Sequence, residues 1–261
     1  AGPLPMTTAK MLELDYLHRE RTPLGPVLAA KLRGAVATQL GSSYSEEAAL
    51  ADLRRAGQTE KPTREEKIAL AFAVKLTREG HAITDKEFAE LLDSFGPEKV
   101  TAIIHTVAYA NFQNRIILGL GAKGESPPAP PVAGAFDPDA KIVSLARPSW
   151  DELKSATANG LSVRVEWSKN TTEELDEKLT KQKERSLRIP LPAPEKLADL
   201  TGREKEQAER VVWMSVSTGY QREMTRAWFA CLNSFYEEAK PDRLFTNSTF
   251  WVVTRTNDCF Y

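Results

Sequence analysis

The feature of this sequence that most constrains its fold is a run of helix signals between residues 9 and 119. Its segments open on capping residues, continue with apolar side chains at helical spacing and stop at glycines. In TREEKIALAFAVKLTREG, Thr63 precedes two glutamates and Gly80 closes the segment. In TDKEFAELLDSFG, Thr84 stands three residues before Glu87, which is the spacing of a capping box. This succession predicts an all-α helical bundle.

Two further helices are expected on either side of a serine-rich turn. The stretch PLGPVLAAKLRGAVATQLG is rich in Ala and Leu and stops at Gly41. SYSEEAALADLRRAG has acidic residues early and Arg54 and Arg55 late, which is the charge order that a helix dipole favours. Ser43 or Ser45 is the expected N-cap of this second helix.

The sequence divides into four expected regions. We predict a first helical domain at 9–122, a Pro/Gly-rich linker at 123–147 and an irregular connecting segment at 148–202. The alternation in SVRVEW indicates that this irregular middle carries one or two short strands. From residue 203 to 261 the pattern is helical again, which predicts the start of a second helical domain.

Composition limits the function classes. The 261 residues carry 35 basic and 36 acidic side chains, and this balance gives no reason to expect nucleic acid or an anionic membrane as a partner. Charges interrupt each apolar run before the ~18 residues that a membrane span needs. Two cysteines and three histidines without ligand spacing predict no disulfide framework and no metal site, and no cofactor is expected. We expect a cytoplasmic protein, although a chain that starts on alanine also fits the removal of an export signal.

The last residues carry the most specific motif. Asn257, Asp258, Cys259, Phe260 and Tyr261 follow the apolar run RLFTNSTFWVVTRT. This stretch resembles the carboxymuconolactone decarboxylase family, most closely its peroxidase-related branch around alkylhydroperoxidase D. In that family an amphipathic helix runs into a Cys-x-x-Cys motif, often Asn-Asp-Cys-x-Tyr-Cys, and a histidine follows one turn later. The resemblance implies that Cys259 is the first cysteine of the pair and that the sequence is cut inside the motif.

The first half resembles the same family at a second point. In LRGAVATQLGSSYSEEAALADLRRAG, Ser42 and Ser45 occupy the two cysteine positions. Aligning Ser42 with Cys259 places Tyr44 on Tyr261. We therefore predict a two-copy member with a degenerate first copy. Such domains leave an apolar helix face that the family buries by association, so the resemblance also implies a homo-oligomer.

The chemistry that the resemblance implies is thiol–disulfide exchange. A cysteine at a helix N-terminus has a lowered pKa because unpaired backbone N–H groups and the helix dipole stabilise the thiolate. Cys259 would attack a small peroxide or a disulfide, the second cysteine would resolve the product, and a thiol reductant protein would restore the pair. Asp258 suits an N-cap but opposes thiolate formation. Arg255 would favour the thiolate by its charge and stands near the place of the family's proton-relaying acid.

Three functions stay open on these residues. The leading one is a peroxidase-related thiol–disulfide oxidoreductase. A non-catalytic helical scaffold or binding member is favoured by Ser42 and Ser45, which have no base in their sequence neighbourhood. These serines are either natural in a domain kept for packing or engineered replacements of cysteines. The third function, decarboxylation of a small lactone acid, needs a charged pocket with a proton donor, and NDCFY argues against it.

Other conspicuous side chains have a structural interpretation. Cys231 in RAWFACLNSF is expected to be a buried small apolar residue. His105 is expected to be a hydrogen-bonded core histidine, with a pocket-lining role as the alternative. Asn111, Asn114 and Arg115 predict a cap or interface, and the resemblance adds active-site lining. Core packing is predicted for the aromatic residues at helical spacing, namely Trp228, Phe229, Phe235 and Trp251.

Overall fold

The structure, a computed structural model, confirms the all-α prediction. The residues that it describes are 4–57, 61–122, 128–132, 171–183 and 187–256. These residues are predominantly helical, with ten α-helices and no strand. The helices are α1 (Pro5–Tyr16), α2 (Gly25–Leu40), α3 (Ser43–Arg55), α4 (Arg64–Glu79), α5 (Asp85–Gly119), α6 (Thr172–Lys183), α7 (Gly202–Arg210), α8 (Val212–Tyr220), α9 (Arg222–Ala239) and α10 (Arg243–Thr256).

Part of the predicted middle region cannot be compared with the structure. The expected strand SVRVEW lies outside the described residues, as does most of the predicted linker at 123–147. Short 3₁₀ turns occur at Gly80–Ala82 and Pro194–Lys196. None of the described helices is both long and apolar enough to cross a membrane.

The described chain falls into two compact units. The larger unit contains residues 9–122, 128–132 and 188–234, and the smaller contains residues 4–8, 171–183, 187 and 235–256. The hydrophobic core, and the ionic network and histidines described below, belong entirely to the larger unit.

The larger unit has a main core formed by one face each of α2, α4 and α5. Within this core Leu32, Val36, Leu91, Ile103 and Val107 are completely buried. A second cluster joins α1, α5 and α9, and it contains the buried side chains of Leu14, Leu17, Tyr109, Met224 and Ala227. Burial of these stripes stabilises the helices more than their intrinsic propensity does.

The predicted cap at Thr63 and the predicted capping box at Thr84 are confirmed, and Thr63 also forms a capping box. Thr63 accepts a hydrogen bond from the backbone N–H of Glu66, whose carboxylate accepts one from the N–H of Thr63. Thr84 and Glu87 make the same reciprocal pair at the start of α5. The predicted cap of α3 is wrong, because the helix begins at Ser43 and Ser42 takes the N-cap position without a side-chain bond.

Helix α5 is bent at the position that the sequence marks as a boundary. Gly96 has φ 69° and ψ 167°, a conformation that a side chain would strain, and Pro97 follows it. The predicted segment TDKEFAELLDSFG is therefore helical, and it continues across a kink into a second helical segment instead of stopping at Gly96. The part of α5 that follows the kink carries Tyr109 and His105, which are among the polar groups described below.

The helix pair α1–α2 is followed later in the chain by a second pair, α9–α10. The number of residues between the two pairs is close to the number that separates Ser42 from Cys259. Helix α1 continues into a π-helical turn at Leu17–Arg21. Shifted along the chain by the distance from Ser42 to Cys259, these two elements would cover residues 222–238. The observed helix there is α9, which ends one residue later. Helix α2 corresponds to residues 242–257, and α10 begins one residue inside that range and is helical up to Thr256, where the described residues stop. The bounds thus agree to within one residue at both ends of the first element and at the start of the second.

Candidate functional site

Ser42 and Ser45 lie at the N-terminal end of α3, directly after α2 has ended at Gly41. The backbone N–H of Ser42 donates to the carbonyl oxygen of Ala37 at 2.9 Å, which makes a tight turn between the helices. Both serines are buried, and neither hydroxyl has a hydrogen-bond partner within the described residues. A thiol at such a helix start would have a lowered pKa. A serine needs a base within hydrogen-bond reach, and neither side chain has one among the described residues.

A buried ionic network lies further along the same face of α3. Ser45 and Asp52 are both buried on this helix and are seven residues apart, about 10 Å along the axis. Asp52 accepts two hydrogen bonds from Arg19, from Nε and Nη2, each at 2.8 Å. It also accepts a hydrogen bond from Arg33 of α2 and another from Arg55, one turn further along its own helix.

The second acid of the network is Asp15 of α1. It accepts a hydrogen bond from Arg19 Nη1 at 2.9 Å, and two from α5, donated by the hydroxyl of Tyr109 at 3.0 Å and the amide of Gln113 at 3.2 Å. Arg19 Nη2 also reaches the carbonyl oxygen of Ala129 at 3.3 Å. The network therefore connects α1 and its π-helical turn with α2, α3, α5 and the segment at 128–132.

The charged groups of the network are engaged in structural bonds. Burial raises the pKa of Asp52, but hydrogen bonds from Arg19 and the charge of Arg33 outweigh this, so the pKa lies below its usual value. Burial also opposes the charge of Arg19, whose pKa is nevertheless raised by Asp52 and Asp15. Burial lowers the pKa of Arg33 against the attraction of Asp52, and its Nε has no partner within the described residues. A carboxylate bonded to several guanidinium groups holds helices together and is a poor proton donor.

Two histidines lie in the same part of the bundle, the buried His18 and the half-buried His105. The ring of His18 stacks on Tyr109, with centroids 4.4 Å apart and an interplanar angle of 4°. Burial, followed by the charges of His105 and Arg33, lowers the pKa of His18 to about 3. His105 Nε2 is 3.1 Å from the hydroxyl oxygen of Ser217, and burial lowers its pKa to about 4. Both rings are neutral at pH 7, and His105 is the hydrogen-bonded core histidine that the sequence predicts.

Burial makes Cys231 an unreactive thiol. The structure confirms that it is buried and free, and burial raises its pKa above the ordinary value. Among the described residues, no group of three or more His, Cys, Asp and Glu side chains is arranged as metal ligands are. The described part of the chain therefore offers no activated thiol.

The structure describes only part of the predicted site. Ser42 and Ser45 both lie at the start of α3. Tyr44, which stands between them in the sequence, is half-buried. Arg255 belongs to the last turn of α10, and its side chain is not among the described parts. The four remaining residues of the predicted motif lie outside the described residues, namely Asn257, Asp258, Cys259 and Tyr261.

The predicted cap or interface residues at the end of α5 have local roles. Asn111 donates to Thr77 of α4 and to the carbonyl oxygen of Val107, each at 3.0 Å. Asn114 is buried and donates to the carbonyl oxygen of Ala110 at 2.7 Å. Arg115 is exposed. Asn111 thus joins two helices, and the hydrogen bonds of both amides are to their own helix or to α4.

The ionic network was missed by the sequence interpretation, although the sequence contains a signal for it. Arg33 stands in the apolar run of α2 between Leu32 and Val36, which are both completely buried. A charge at an apolar phase of a helix indicates a buried ion pair, because an unpaired buried charge is very costly. Asp52 follows the buried Ala49 by one turn and carries the same signal.

The comparisons with known proteins add no relative. No protein-family model matches the sequence, and no curated protein or solved structure is significantly similar to it.

Proposed function

We propose that this protein is a peroxidase-related thiol–disulfide oxidoreductase in which Cys259 is the attacking thiol. The observation that carries the proposal is the agreement between the helix pairs α1–α2 and α9–α10, which recur at the spacing between Ser42 and Cys259. In the first pair the residue that follows α2 and its terminal glycine is Ser42, at the N-cap of α3. By the same spacing Cys259 takes the equivalent position after α10, where a helix start would lower its pKa.

The proposed chemical step begins with the Cys259 thiolate. It attacks one oxygen of a peroxide, the O–O bond breaks, and the leaving oxygen takes a proton to become an alcohol or water. The sulfur is oxidised to a sulfenic acid, and a second thiol then condenses with it, forming a disulfide and releasing water. That second thiol comes from the resolving cysteine that the motif implies or from a thiol reductant protein.

For the first copy we propose a non-catalytic role in packing. The buried hydroxyls of Ser42 and Ser45 have no hydrogen-bond partner within the described residues, which supports this role. The neighbouring carboxylates are bonded to arginines and hold helices together. The first copy thus contributes a packed helical domain and no catalytic group.

The test of the redox proposal is the reactivity of the two cysteines in the reduced chain. We expect Cys259 to be alkylated at least about tenfold faster than Cys231 at pH 7, because a helix start would lower the pKa of Cys259 whereas burial raises the pKa of Cys231. After peroxide treatment, a sulfenic acid trapped by dimedone should be found at Cys259 by mass spectrometry. Cys231→Ser should keep the label, and Cys259→Ser should lose it.

The first copy allows a separate test of the resemblance. If Ser42 and Ser45 occupy the motif's cysteine positions, the Ser42→Cys/Ser45→Cys variant should form an intradomain disulfide on mild oxidation. A matched variant, Ser42→Cys/Glu47→Cys, carries two thiols at a spacing that does not share a helix face and should stay reduced. Slow alkylation of Cys259 together with a reduced Ser42→Cys/Ser45→Cys variant would contradict the oxidoreductase proposal.

A further inference from the structure

Residues 188–193 form an extended proline strap that belongs to the larger unit. The sequence RIPLPAP at 188–194 has a proline at every second position from residue 190 onward. Proline fixes its own φ and disfavours the helical region for the residue before it, so this pattern favours the polyproline II conformation. Ala193, with φ −57° and ψ 141°, has this conformation. The N–H groups of Ile189 and Leu191 make no hydrogen bond within the described residues, so the strap lies on the helices as a bound peptide would.

One edge of the proline strap packs against the helices. Ile189 is half-buried and packs against the main core, and Pro192 is buried. These two residues are three apart, which is one turn of a polyproline II helix, whereas Leu191 between them is 56% exposed. Pro192 approaches α8 at Gly219, where a Cβ atom would be 2.4 Å from its Cγ. Glycine is unfavourable inside a helix, and here its missing side chain makes room for the proline ring.

The first residue of the strap, Arg188, makes three contacts near the start of α5. Its Nη2 donates a hydrogen bond to the carbonyl oxygen of Ile83 at 3.0 Å and lies 2.7 Å from a carboxylate oxygen of Asp85. The guanidinium also lies 5.7 Å from the ring centroid of Phe88, within the range of a cation–π contact. Charge, a carbonyl acceptor and an aromatic ring together favour arginine at this position.

Helix α8 contributes a contact to the main chain of the strap. The hydroxyl of Tyr220 donates a hydrogen bond to the carbonyl oxygen of Pro190 at 3.0 Å. An aromatic-lined groove that binds one edge of an extended proline-containing chain is a recurring mode of peptide recognition. We infer that the groove formed by residues 83–88 and 219–220 binds a segment of a partner protein with the pattern Arg-apolar-Pro-x-Pro, and that the proline strap occupies this groove as an intramolecular ligand.

The strap is held by few contacts, so it can leave while the helices stay folded. The side chain of Asp85 is 90% exposed, and an ion pair to such a group contributes little to stability. Segments with few buried apolar contacts open at a low free energy. A polyproline II segment is ordered before it binds and loses little entropy, so one supplied by another chain can replace the strap. The inference is independent of the proposed redox function, because none of these residues belongs to the cysteine motif.

The experiment measures binding of a fluorescent RIPLPAP peptide to the full chain by fluorescence anisotropy. The wild type should bind it weakly, because the tethered strap competes at a high effective concentration. Arg188→Gln weakens the strap and leaves the groove intact, so it should raise the apparent affinity about five- to tenfold, and Ile189→Ser should raise it at least as much. Arg210→Gln changes an exposed arginine of α7 and should leave the affinity at the wild-type value.

Two further measurements identify the groove as the place of binding. Adding Tyr220→Phe to Arg188→Gln removes the hydroxyl that donates to the strap and should weaken peptide binding about three- to tenfold. A peptide with glutamine in place of its arginine should also bind more weakly to the Arg188→Gln chain.

The inference is overturned if the peptide does not bind saturably to Arg188→Gln, or if the wild type and both strap variants bind it equally. Arg188 is exposed, so the test stays decisive if Ile189→Ser fails to fold. Dimerisation of Arg188→Gln that the peptide reverses would overturn the assignment to a partner protein, because the strap of a second copy would then be the occupant.

Discussion

Gly219 is a position where a single missing side chain decides the packing. It lies in α8, and a Cβ atom there would be 2.4 Å from Cγ and 2.6 Å from Cβ of Pro192. These are ring atoms of a buried proline that cannot rotate away. We expect Gly219→Ala to lower the free energy of unfolding by about 1–3 kcal/mol, the usual cost of overpacking.

The matched control is Gly119→Ala, since a Cβ at Gly119 has no atom within 4 Å. This substitution should be neutral or should stabilise the protein by up to about 1 kcal/mol, because alanine loses less backbone entropy on folding. Urea unfolding of both variants measures the difference. Equal unfolding midpoints would show that Pro192 does not approach α8 as closely as described.

Asp52 is the residue on which the ionic network depends. Asp52→Asn keeps the shape but removes the charge that faces Arg19 and Arg33, leaving the buried guanidinium of Arg33 without a counter-ion and that of Arg19 with Asp15 alone. We expect a loss of about 3–5 kcal/mol of unfolding free energy. Glu209→Gln breaks the exposed pair with Lys205, whose atoms are 3.8 Å apart, and should cost less than about 1 kcal/mol. Similar losses in urea unfolding would mean that the network is accessible to water.

The two histidines predict a stability that falls as the pH falls. The pKa of His18 is about 3 and that of His105 about 4 in the folded chain, against an ordinary value of 6.5. The unfolded chain therefore binds more protons below pH 6.5, so the stabilising effect is complete above that pH and is lost as the pH falls towards 4. Each histidine contributes a slope approaching about 1.4 kcal/mol per pH unit.

Urea unfolding at several values between pH 7.5 and 4.5 tests this prediction. His18→Gln and His105→Gln should each flatten the dependence of unfolding free energy on pH. An unchanged slope in both variants would show that other groups cause the acid sensitivity.

Individual helices differ in what fixes their first turn. Thr84 at the start of α5 bonds reciprocally with Glu87, whereas Ser42 at the start of α3 makes no side-chain bond within the described residues. We expect Thr84→Ala to cost about 1 kcal/mol of unfolding free energy. Ser42→Ala should cost nothing or should stabilise, because it removes a buried hydroxyl without such a partner. Thermal unfolding compares the two, and a destabilised Ser42→Ala would indicate a bonded hydroxyl.

Helix signals in the sequence were reliable where they act within one turn. The caps at Thr63 and Thr84 are present as predicted, and the predicted stop at Gly96 is a kink within α5, because these bonds and conformations involve neighbouring residues alone. Helical spacing was less informative for the aromatic residues. Trp228 packs on Phe112, but Phe235 and Trp251 are 36% and 58% exposed, and the prediction that these two lie in the core is wrong. Spacing identifies a face, and another element must still cover it.

At the scale of the whole molecule, α10 exposes an apolar surface that its counterpart α2 buries. Leu28 and Val36 of α2 are buried, whereas Phe245 and Val253, at the corresponding positions of α10, are 70% and 49% exposed. Residues 244–254 contain no charged side chain. An exposed apolar surface of this kind indicates an association site, and it supports the predicted homo-oligomer.

We expect the chain to self-associate through α10 in a concentration-dependent way. Phe245→Glu/Val252→Glu places two charges on one face of the helix, two turns apart, and should shift the sedimentation coefficient to that of a monomer. Leu120→Glu changes an exposed leucine outside α10 and should leave association unchanged. Sedimentation velocity over a range of concentrations makes the comparison. Identical behaviour of all three chains would contradict an interface on α10.

The sequence by itself determined the fold class, the starts of α4 and α5 and the burial of Cys231, because period, caps and charge order act over a few residues. Only the tertiary structure decided the ionic network and the groove that the proline strap occupies. Arg19 and Asp52 are 33 residues apart in the chain, and Asp15 and Tyr109 are 94 apart. Such pairs form only when helix packing brings distant segments together, and burial then strengthens the charges and lowers the pKa values of the histidines.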